Sequence, residues 1–438
     1  MSRSFAVLEI LLAFQLWLIG QLTLFLTPEF SVYPYFVVHG LKPYLDIIDQ
    51  HFPVLFYGPF NLTGFDLYLP SNLVFVFLGI SALANLAFWQ LVKPKVKTLL
   101  ELGAVQLGFI LALGLLAVNH LWLESFAMLF TLAALWLLQI PRSWGKLFAG
   151  ALLCLAVFTR VTLAPLLLLL WLPYRRSRSL LLGAAVVVAW IFIWLWQNHL
   201  LIPFREMLLF NRQYAAEAAQ LPSRSDLIRL SWVIIWVWLL LKPKLSVVLA
   251  TFAALIPTFP RFELFHGLLL ASLPAGLNLK KLHVSPAYLL WLLPGLFLVI
   301  RQTGRELDIN FFYPDQLYQQ AQAIKHYDAD RIYFFGGPDQ LYLLTNSLPP
   351  DNFYLPSLPW YHHRPDWISR QLAALDNHPQ ALVVVNRDSR IGDQNLLDYS
   401  QLLYQFIRSK YQLVETIDQL EIWTRQPTLA TRLYENRH

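Results

Sequence analysis

The stretch GLKPYLDIIDQHFP, residues 40–53, brings two carboxylates and an imidazole within six positions. Asp46 and Asp49 could each accept a proton as a general base, and His51 could share that task or bind an anion. Glu29 adds a third carboxylate a short way upstream. The residue types therefore predict proton-transfer chemistry just after the first apolar block of the chain.

The composition predicts that these groups lie beside a membrane. Apolar residues make up 57% of the chain and charged residues 14%, and the mean hydropathy is +0.49. Soluble proteins average about 45–50% apolar and about 25% charged residues. The first apolar block has no small-residue cleavage site and is followed by many others, so we expect it to be retained as a span.

We interpret the apolar blocks as about eleven membrane spans in a polytopic, mainly α-helical bundle. Several are short, which favours paired or partly re-entrant helices. The predicted spans are 5–26, 72–92, 98–118, 121–140, 147–159, 162–174, 180–197, 227–241, 245–258, 266–278 and 284–301.

Basic residues fall on every second link between these spans. Because such residues stay in the cytosol, the pattern predicts a cytosolic N-terminus and an outer C-terminal segment in the plasma (inner) membrane. The residues that set this orientation are Arg3, Lys93, Lys95, Lys97, Arg142, Lys146, Arg175, Arg176, Arg178, Lys242, Lys244, Lys280 and Lys281.

The composition changes beyond Arg301 to that of a soluble α/β domain. ADRIYFFGG and QALVVVNRD predict buried strands, each preceded by a helical pattern at 315–326 and 365–375. A further helix is predicted at LYQFIRSK, followed by a terminal hairpin. We therefore expect a membrane domain at 1–301, with its first external loop at 27–71, and an extracytoplasmic α/β domain at 302–438.

The charge distribution argues against a nucleic-acid partner. Residues 302–438 hold 12 basic and 16 acidic residues, and subtraction from the totals of 33 and 27 leaves 21 basic and 11 acidic residues in 1–301. Most of that basic excess lies in short links, where it orients the chain in the bilayer. We expect no metal site, and the single cysteine, Cys154, lies in an apolar block.

The loop PEFSVYPYFVVHGLKPYLDIIDQHFPVLFY resembles the first external loop of GT-C-type membrane glycosyltransferases. The bacterial relatives of the dolichyl-phosphate-mannose protein mannosyltransferases are the nearest in pattern. This chain matches their loop at a G-x-x-P-Y-x-D stretch, Gly40 to Asp46, and at the Asp-x-His-x-Pro of Asp49 to Pro53. It departs from the pattern at Pro28, where the family carries the first acid of an Asp-Glu pair.

The resemblance implies transfer of a sugar, such as mannose or another hexose, from a polyprenyl-phosphate carrier. The acceptor would be an extracytoplasmic glycan, lipid or protein, and no cofactor beyond the lipid-linked donor is implied. The catalytic base would be Asp49, Glu29 or Asp46, in that order of preference, with the other acids orienting the substrates. Seven further residues are expected to bind substrate: His51, Tyr44, Glu124, Arg160, Arg212, Arg261 and His266.

Other readings of the same residues stay open. Asp46 and Asp49 could solvate a helix on the membrane surface, and Glu29 could favour a helix N-terminus. His51 could be structural, and Arg160 could reach lipid headgroups. A transporter or flippase, or a non-catalytic assembly protein of cell-envelope glycan synthesis, are the alternative classes. A transporter would favour repeats and mid-membrane sites, whereas this chain shows no repeat and its polar residues collect on one predicted face.

Overall fold

The computed structural model is mainly helical. It describes residues 3–21, 25–55, 63–117, 120–217, 221–259, 262–277, 281–303, 315–391 and 394–426. Its α-helices are α1 Arg3–Gln21, α2 Val32–Val38, α3 Pro70–Val92, α4 Leu99–Ala117, α5 Leu123–Leu138, α6 Ser143–Thr159, α7 Ala164–Trp171, α8 Arg178–Gln197, α9 Leu201–Glu217, α10 Arg224–Leu241, α11 Leu245–Leu255, α12 Leu273–Gly276, α13 Pro286–Thr303, α14 Asp315–Lys325, α15 Gln340–Thr345, α16 Pro359–His362, α17 Pro365–Asn377, α18 Leu396–Tyr399 and α19 Gln401–Lys410. Its strands are β1 Phe25–Leu26, β2 His120–Leu121, β3 Ile332–Phe335, β4 Leu382–Asn386, β5 Arg390–Ile391, β6 Gln394–Asn395, β7 Tyr411–Ile417 and β8 Leu420–Arg425.

Three described helices are long and apolar enough to cross a membrane: Pro70–Lys95, Leu99–Leu116 and Arg178–Gln197. Shorter apolar helices of 10–17 residues cover most of the other predicted spans. Some of them are shortened by turns of 3₁₀-helix, such as Leu264–Ser272 before α12. A bilayer core of about 30 Å needs about 20 helical residues, so the count of about eleven spans remains a prediction.

The described chain forms two compact units. Unit 1 comprises Met1–Thr27, His51–Leu201 and Ala215–Phe312, and unit 2 comprises Pro28–Gln50, Ile202–Tyr214 and Tyr313–His438. This division differs from the predicted one, because most of the first loop that the structure describes groups with the C-terminal residues.

Close packing of α6 on α8 in unit 1 depends on glycine. A Cβ atom added at Gly150 would lie 2.0 Å from the Leu180 carbonyl oxygen, and one at Gly183 would lie 1.8 Å from the Leu147 carbonyl oxygen. Only hydrogen fits at these distances, so the two backbones can touch. This is how apolar helices associate where no hydrophobic driving force separates protein from lipid.

A chain of buried amides ties α1, α3 and α4 together in unit 1. Gln106 donates from Nε2 to Asn85 Oδ1 at 2.6 Å, and Asn85 donates from Nδ2 to Gln15 Oε1 at 2.5 Å. All three side chains are buried among apolar neighbours. Hydrogen-bonded amides in such a setting fix which helices meet and in which register.

Unit 2 is built on a four-stranded sheet with strand order β3-β4-β8-β7. β3 and β4 are parallel, with Ile332 opposite Leu382, and β8 pairs antiparallel with both β4 and β7. The two predicted buried strands, the helices before them and the terminal hairpin are thereby confirmed. β3 and the first four residues of β4 are buried, as expected for short apolar strands covered on both faces.

The first-loop segment is attached to this lobe by backbone bonds and aromatic contacts. Tyr354 N donates to the Asp46 carbonyl at 2.8 Å, and Ile48 N donates to the Tyr354 carbonyl at 3.0 Å. The ring of Phe36, on α2, lies 5.0 Å from the rings of both Tyr342 and Tyr354. Burial of these rings explains why the segment groups with unit 2.

Candidate active site

Glu124 is the centre of a buried charged cluster in unit 1. Its side chain has no exposed surface, and Oε1 lies 3.0 Å from Arg160 Nε and 2.8 Å from His266 Nδ1. His266 Nε2 lies 3.2 Å from Glu263 Oε2, so the imidazole bridges two carboxylates. A buried carboxylate with both a guanidinium and an imidazole keeps its charge without the full cost of desolvation.

Three segments far apart in the sequence supply this cluster. Glu124 is the second residue of α5, and the helix begins directly after extended Trp122. Arg160 is the extended residue between α6 and the 3₁₀ turn Val161–Leu163, and His266 lies in the 3₁₀-helix Leu264–Ser272. Departures from regular α-helix therefore hold both basic partners: Arg160 follows the end of α6, and His266 lies in a 3₁₀-helix.

Arg160 makes two further contacts through its guanidinium. Nε lies 3.3 Å from Thr162 Oγ1, and Nη2 donates to the Pro257 carbonyl at 3.4 Å. The side chain remains 18% exposed. It can therefore hold Glu124 and still present part of a delocalised positive charge to an anion.

Aromatic rings line one side of the cluster. His51 lies edge-on to Trp122 at 5.3 Å between ring centroids, and Trp122 lies edge-on to Phe265 at 6.3 Å. Phe265 in turn contacts the His266 ring at 4.3 Å. The structure thus brings His51, predicted from the first loop, into unit 1 beside the Glu124 cluster, through Trp122.

Asp46 belongs to unit 2 and both its carboxylate oxygens are engaged there. Oδ2 accepts from Lys42 N at 2.9 Å, closing a turn, and Oδ1 accepts from Arg370 Nη2 at 3.2 Å. Arg370 also donates to the Leu45 carbonyl at 2.5 Å and lies over the Phe353 ring. These contacts give Asp46 an anchoring role within unit 2.

Asp49 is also in unit 2 and is only 1% exposed. Burial, followed by the nearby Asp49 carboxylate, raises the pKa of Tyr44 well above its usual value. Tyr44 itself has a positive φ of 65° and packs against Phe204 of α9 at 5.4 Å. The turn therefore holds a phenol and a carboxylate together away from water.

Glu29 lies in the 3₁₀ turn Pro28–Phe30, also in unit 2. Its carboxylate is close enough to Tyr354 to help raise the pKa of that phenol, after burial and after Asp339. Asp339 was not predicted as a site residue, because no motif in the sequence marks it. Only the fold brings it to Tyr354.

Two of the arginines predicted to bind phosphate have side chains outside the described residues. Arg261 lies outside the described residues, and Arg212 lies on α9 with a side chain that is likewise outside them. Glu263 was not singled out from the sequence, although its spacing of three residues from His266 could have indicated a pair. Within the described ranges, no three His, Cys, Asp or Glu side chains are grouped so that they could hold a metal ion.

No family model, curated protein or solved structure matches this chain. Unit 1 combines a buried carboxylate, a part-exposed guanidinium and an imidazole at the end of an apolar helix. This combination can bind an anionic group and hold it in a fixed orientation.

Proposed function

We propose that the protein is a membrane glycosyltransferase that moves a sugar from a polyprenyl-phosphate carrier to an extracytoplasmic acceptor. The observation that carries the proposal is the Glu124–Arg160–His266 cluster at the start of the apolar helix α5. Ionisable groups among apolar helices are costly and usually mark a functional site. The resemblance of the first loop to GT-C enzymes supplies the reaction class.

In this proposal the part-exposed guanidinium of Arg160 contacts the phosphate of the donor. His266, whose two ring nitrogens face Glu124 and Glu263, adds positive charge beside that phosphate when it is protonated. The carrier phosphate is the leaving group, and its charge must be stabilised as the bond to the sugar breaks. Glu124 then acts by positioning: its Oε1 fixes both basic side chains at 3.0 and 2.8 Å. Arg261 stays a further candidate for the same phosphate.

The acceptor hydroxyl requires a base. Its oxygen attacks the anomeric carbon, its proton passes to a carboxylate, and the bond from that carbon to the phosphate oxygen breaks. Asp49 remains our first choice and Glu29 the second. Asp46 is the orienting acid, because its two oxygens already accept hydrogen bonds from Lys42 and Arg370.

A transfer assay tests the base. Purified protein is given a panel of polyprenyl-phosphate sugars with membrane extracts as acceptor, and sugar transfer and carrier release are both measured. Asp49→Asn should lower turnover about 10²–10⁴-fold, since the amide keeps the shape but cannot accept the proton. Glu29→Gln and Asp46→Asn are measured in parallel, and Asp330→Asn, at an exposed position of the same unit, is the matched control.

If all three variants turn over like the control, the carboxylate mechanism fails. Transbilayer movement of the donor without release of the carrier would instead identify a flippase. Loss of thermal stability in all three would show that these acids hold the fold.

Donor binding tests the phosphate site separately. Arg160→Ala should weaken donor binding by about 1.5–3 kcal/mol, the range for a hydrogen bond to a charged group. Arg261→Ala is assayed beside it, and Arg176→Ala, an exposed arginine, is the control. Unchanged donor affinity in both variants would exclude these arginines as phosphate ligands.

The proposed orientation has the N-terminus in the cytosol and unit 2's C-terminal residues outside. Reporter fusions after Lys97 and after His438 should report opposite sides of the membrane. If both fusions report the cytosol, the proposed orientation is wrong, and so is the assignment of the active site to the outer face.

A further inference from the structure

Ser400 and His362 form a buried pair in unit 2. The Ser400 hydroxyl is hydrogen-bonded to His362 Nδ1, and His362 Nε2 lies 3.2 Å from the Pro356 carbonyl oxygen. A carbonyl can only accept, so Nε2 carries the hydrogen. Nδ1 then holds a lone pair and accepts from the serine hydroxyl.

The use of this serine is unusual for its place in the fold. Ser400 is the N-cap residue of α19, yet its side chain makes no cap hydrogen bond. Ser177 and Ser223 precede α8 and α10 and do accept from backbone amides there. An N-cap serine commonly accepts a hydrogen bond from a backbone amide of its helix. Ser400 is instead hydrogen-bonded to the imidazole of His362.

The imidazole is fixed by its surroundings. The ring stacks on Phe335 at 6.3 Å with 19° between planes, and Tyr399 lies edge-on to it at 5.7 Å. Burial lowers the pKa of His362 to about 3, so the ring is neutral at physiological pH. The neutral ring has a lone pair on Nδ1 that can accept the serine proton. Because the same burial disfavours the imidazolium, the ring passes this proton on to the leaving group and does not keep it.

A cavity adjoins the pair. Both Ser400 and His362 line it, together with Gln401 and Leu402 from the first turn of α19. Amides in the first turn of a helix have no acceptor within that helix. They are suited to stabilise negative charge that develops on a carbonyl oxygen held in the cavity.

From this arrangement we infer that Ser400 is a nucleophile, that His362 is its base, and that the cavity accepts small carboxylic esters. This activity is independent of the proposed sugar transfer. Ser400 Oγ forms a bond to the ester carbonyl carbon while its proton moves to Nδ1. The ester C–O bond then breaks, the alkoxide takes the proton from Nδ1, and water removes the acyl group from Ser400 by the same steps.

A fluorophosphonate probe tests the assignment on the purified full-length protein. The probe should bond covalently to Ser400, located by peptide mapping of the wild-type protein, which needs no variant to fold. Ser400→Ala should abolish labelling at this position. His362→Gln should slow it about 10²–10⁴-fold, and hydrolysis of p-nitrophenyl acetate should fall in parallel.

Ser409→Ala is the matched control, because Ser409 lies on the same helix and its hydroxyl donates to the Phe406 carbonyl of that helix. Labelling of that variant should equal wild type. Absence of label on Ser400 in folded protein would overturn the inference. Equal labelling of Ser400 in His362→Gln would also overturn it, since the base would then have no role.

Discussion

Glu124 in unit 1 and Asp339 in unit 2 are acids that the fold withdraws from water in different ways. Glu124 is fully buried and has two basic partners, Arg160 and His266. Asp339 is half-buried, and its carboxylate accepts a hydrogen bond from the Tyr354 hydroxyl. Burial, only partly offset by that hydrogen bond, raises the pKa of Asp339 from 3.8 to about 6.

The difference shows two ways of keeping a carboxylate inside a protein. A nearby positive charge stabilises the carboxylate anion. A neutral hydrogen-bond donor stabilises the anion less, so burial favours the protonated carboxyl group. Asp46 is a third case, since its partner Arg370 is 42% exposed and water screens the pair. The three acids should therefore respond differently to mutation and to pH.

The largest effect is expected at Glu124. Glu124→Gln keeps the size of the side chain but leaves Arg160 without its buried counter-ion, and breaking such a pair costs about 3–5 kcal/mol. The free energy of unfolding, measured in detergent, should fall by about this amount. Glu9→Gln, at an exposed position of α1, is the control. A loss no larger than the control's would mean that the pair contributes nothing to stability.

Asp339 should give the protein a pH-dependent stability. Its folded-state pKa lies above the value of 3.8 expected when unfolded, so the stabilising contribution is complete below about pH 4 and is lost as pH rises through about 6. The shift corresponds to at most about 3 kcal/mol. Asp339→Asn should flatten thermal stability between pH 4 and 7.

Asp330→Asn is the control for this pH series, because Asp330 is exposed in the same unit. Parallel pH curves for wild type and Asp339→Asn would contradict the assignment. Asp339 would then not be an example of a carboxyl group whose pKa is raised by burial.

The smallest effect is expected at Arg370. Arg370→Gln removes the charge opposite Asp46, and exposed pairs contribute about 0.2–1 kcal/mol. Denaturant unfolding should show a loss in that range, which shrinks in high salt. Arg390→Gln, an exposed arginine of β5, is the control. A decrease of more than about 2 kcal/mol in the free energy of unfolding would show that the Asp46–Arg370 pair behaves like a buried ion pair.

Local pattern was enough to predict the longer helices and the four main strands of the C-terminal part of unit 2. The apolar runs at Ile332–Phe335 and Leu382–Asn386 are short and bounded by turns, and both are strands. The helix at Gln401–Lys410 followed from its apolar spacing. Each of these features depends on neighbours in sequence, so a single sequence records them.

The sequence also predicted Glu124, Arg160 and His266 as site residues without predicting that they meet. They meet because α6, which ends just before Arg160, and the 3₁₀-helix Leu264–Ser272, which holds His266, both pack against α5. The serine and histidine of unit 2 were not predicted at all, since Ser400 resembles an ordinary helix cap.

By itself, then, the sequence determined the apolar helices, the buried strands and the acidic first loop, because periodicity and composition act over a few residues. Tertiary structure alone decided that Pro28–Gln50 packs with the C-terminal lobe and that Glu124 has two basic partners. It also decided that Ser400 faces an imidazole. These outcomes depend on long-range burial and hydrogen bonding, which link residues that no local pattern connects.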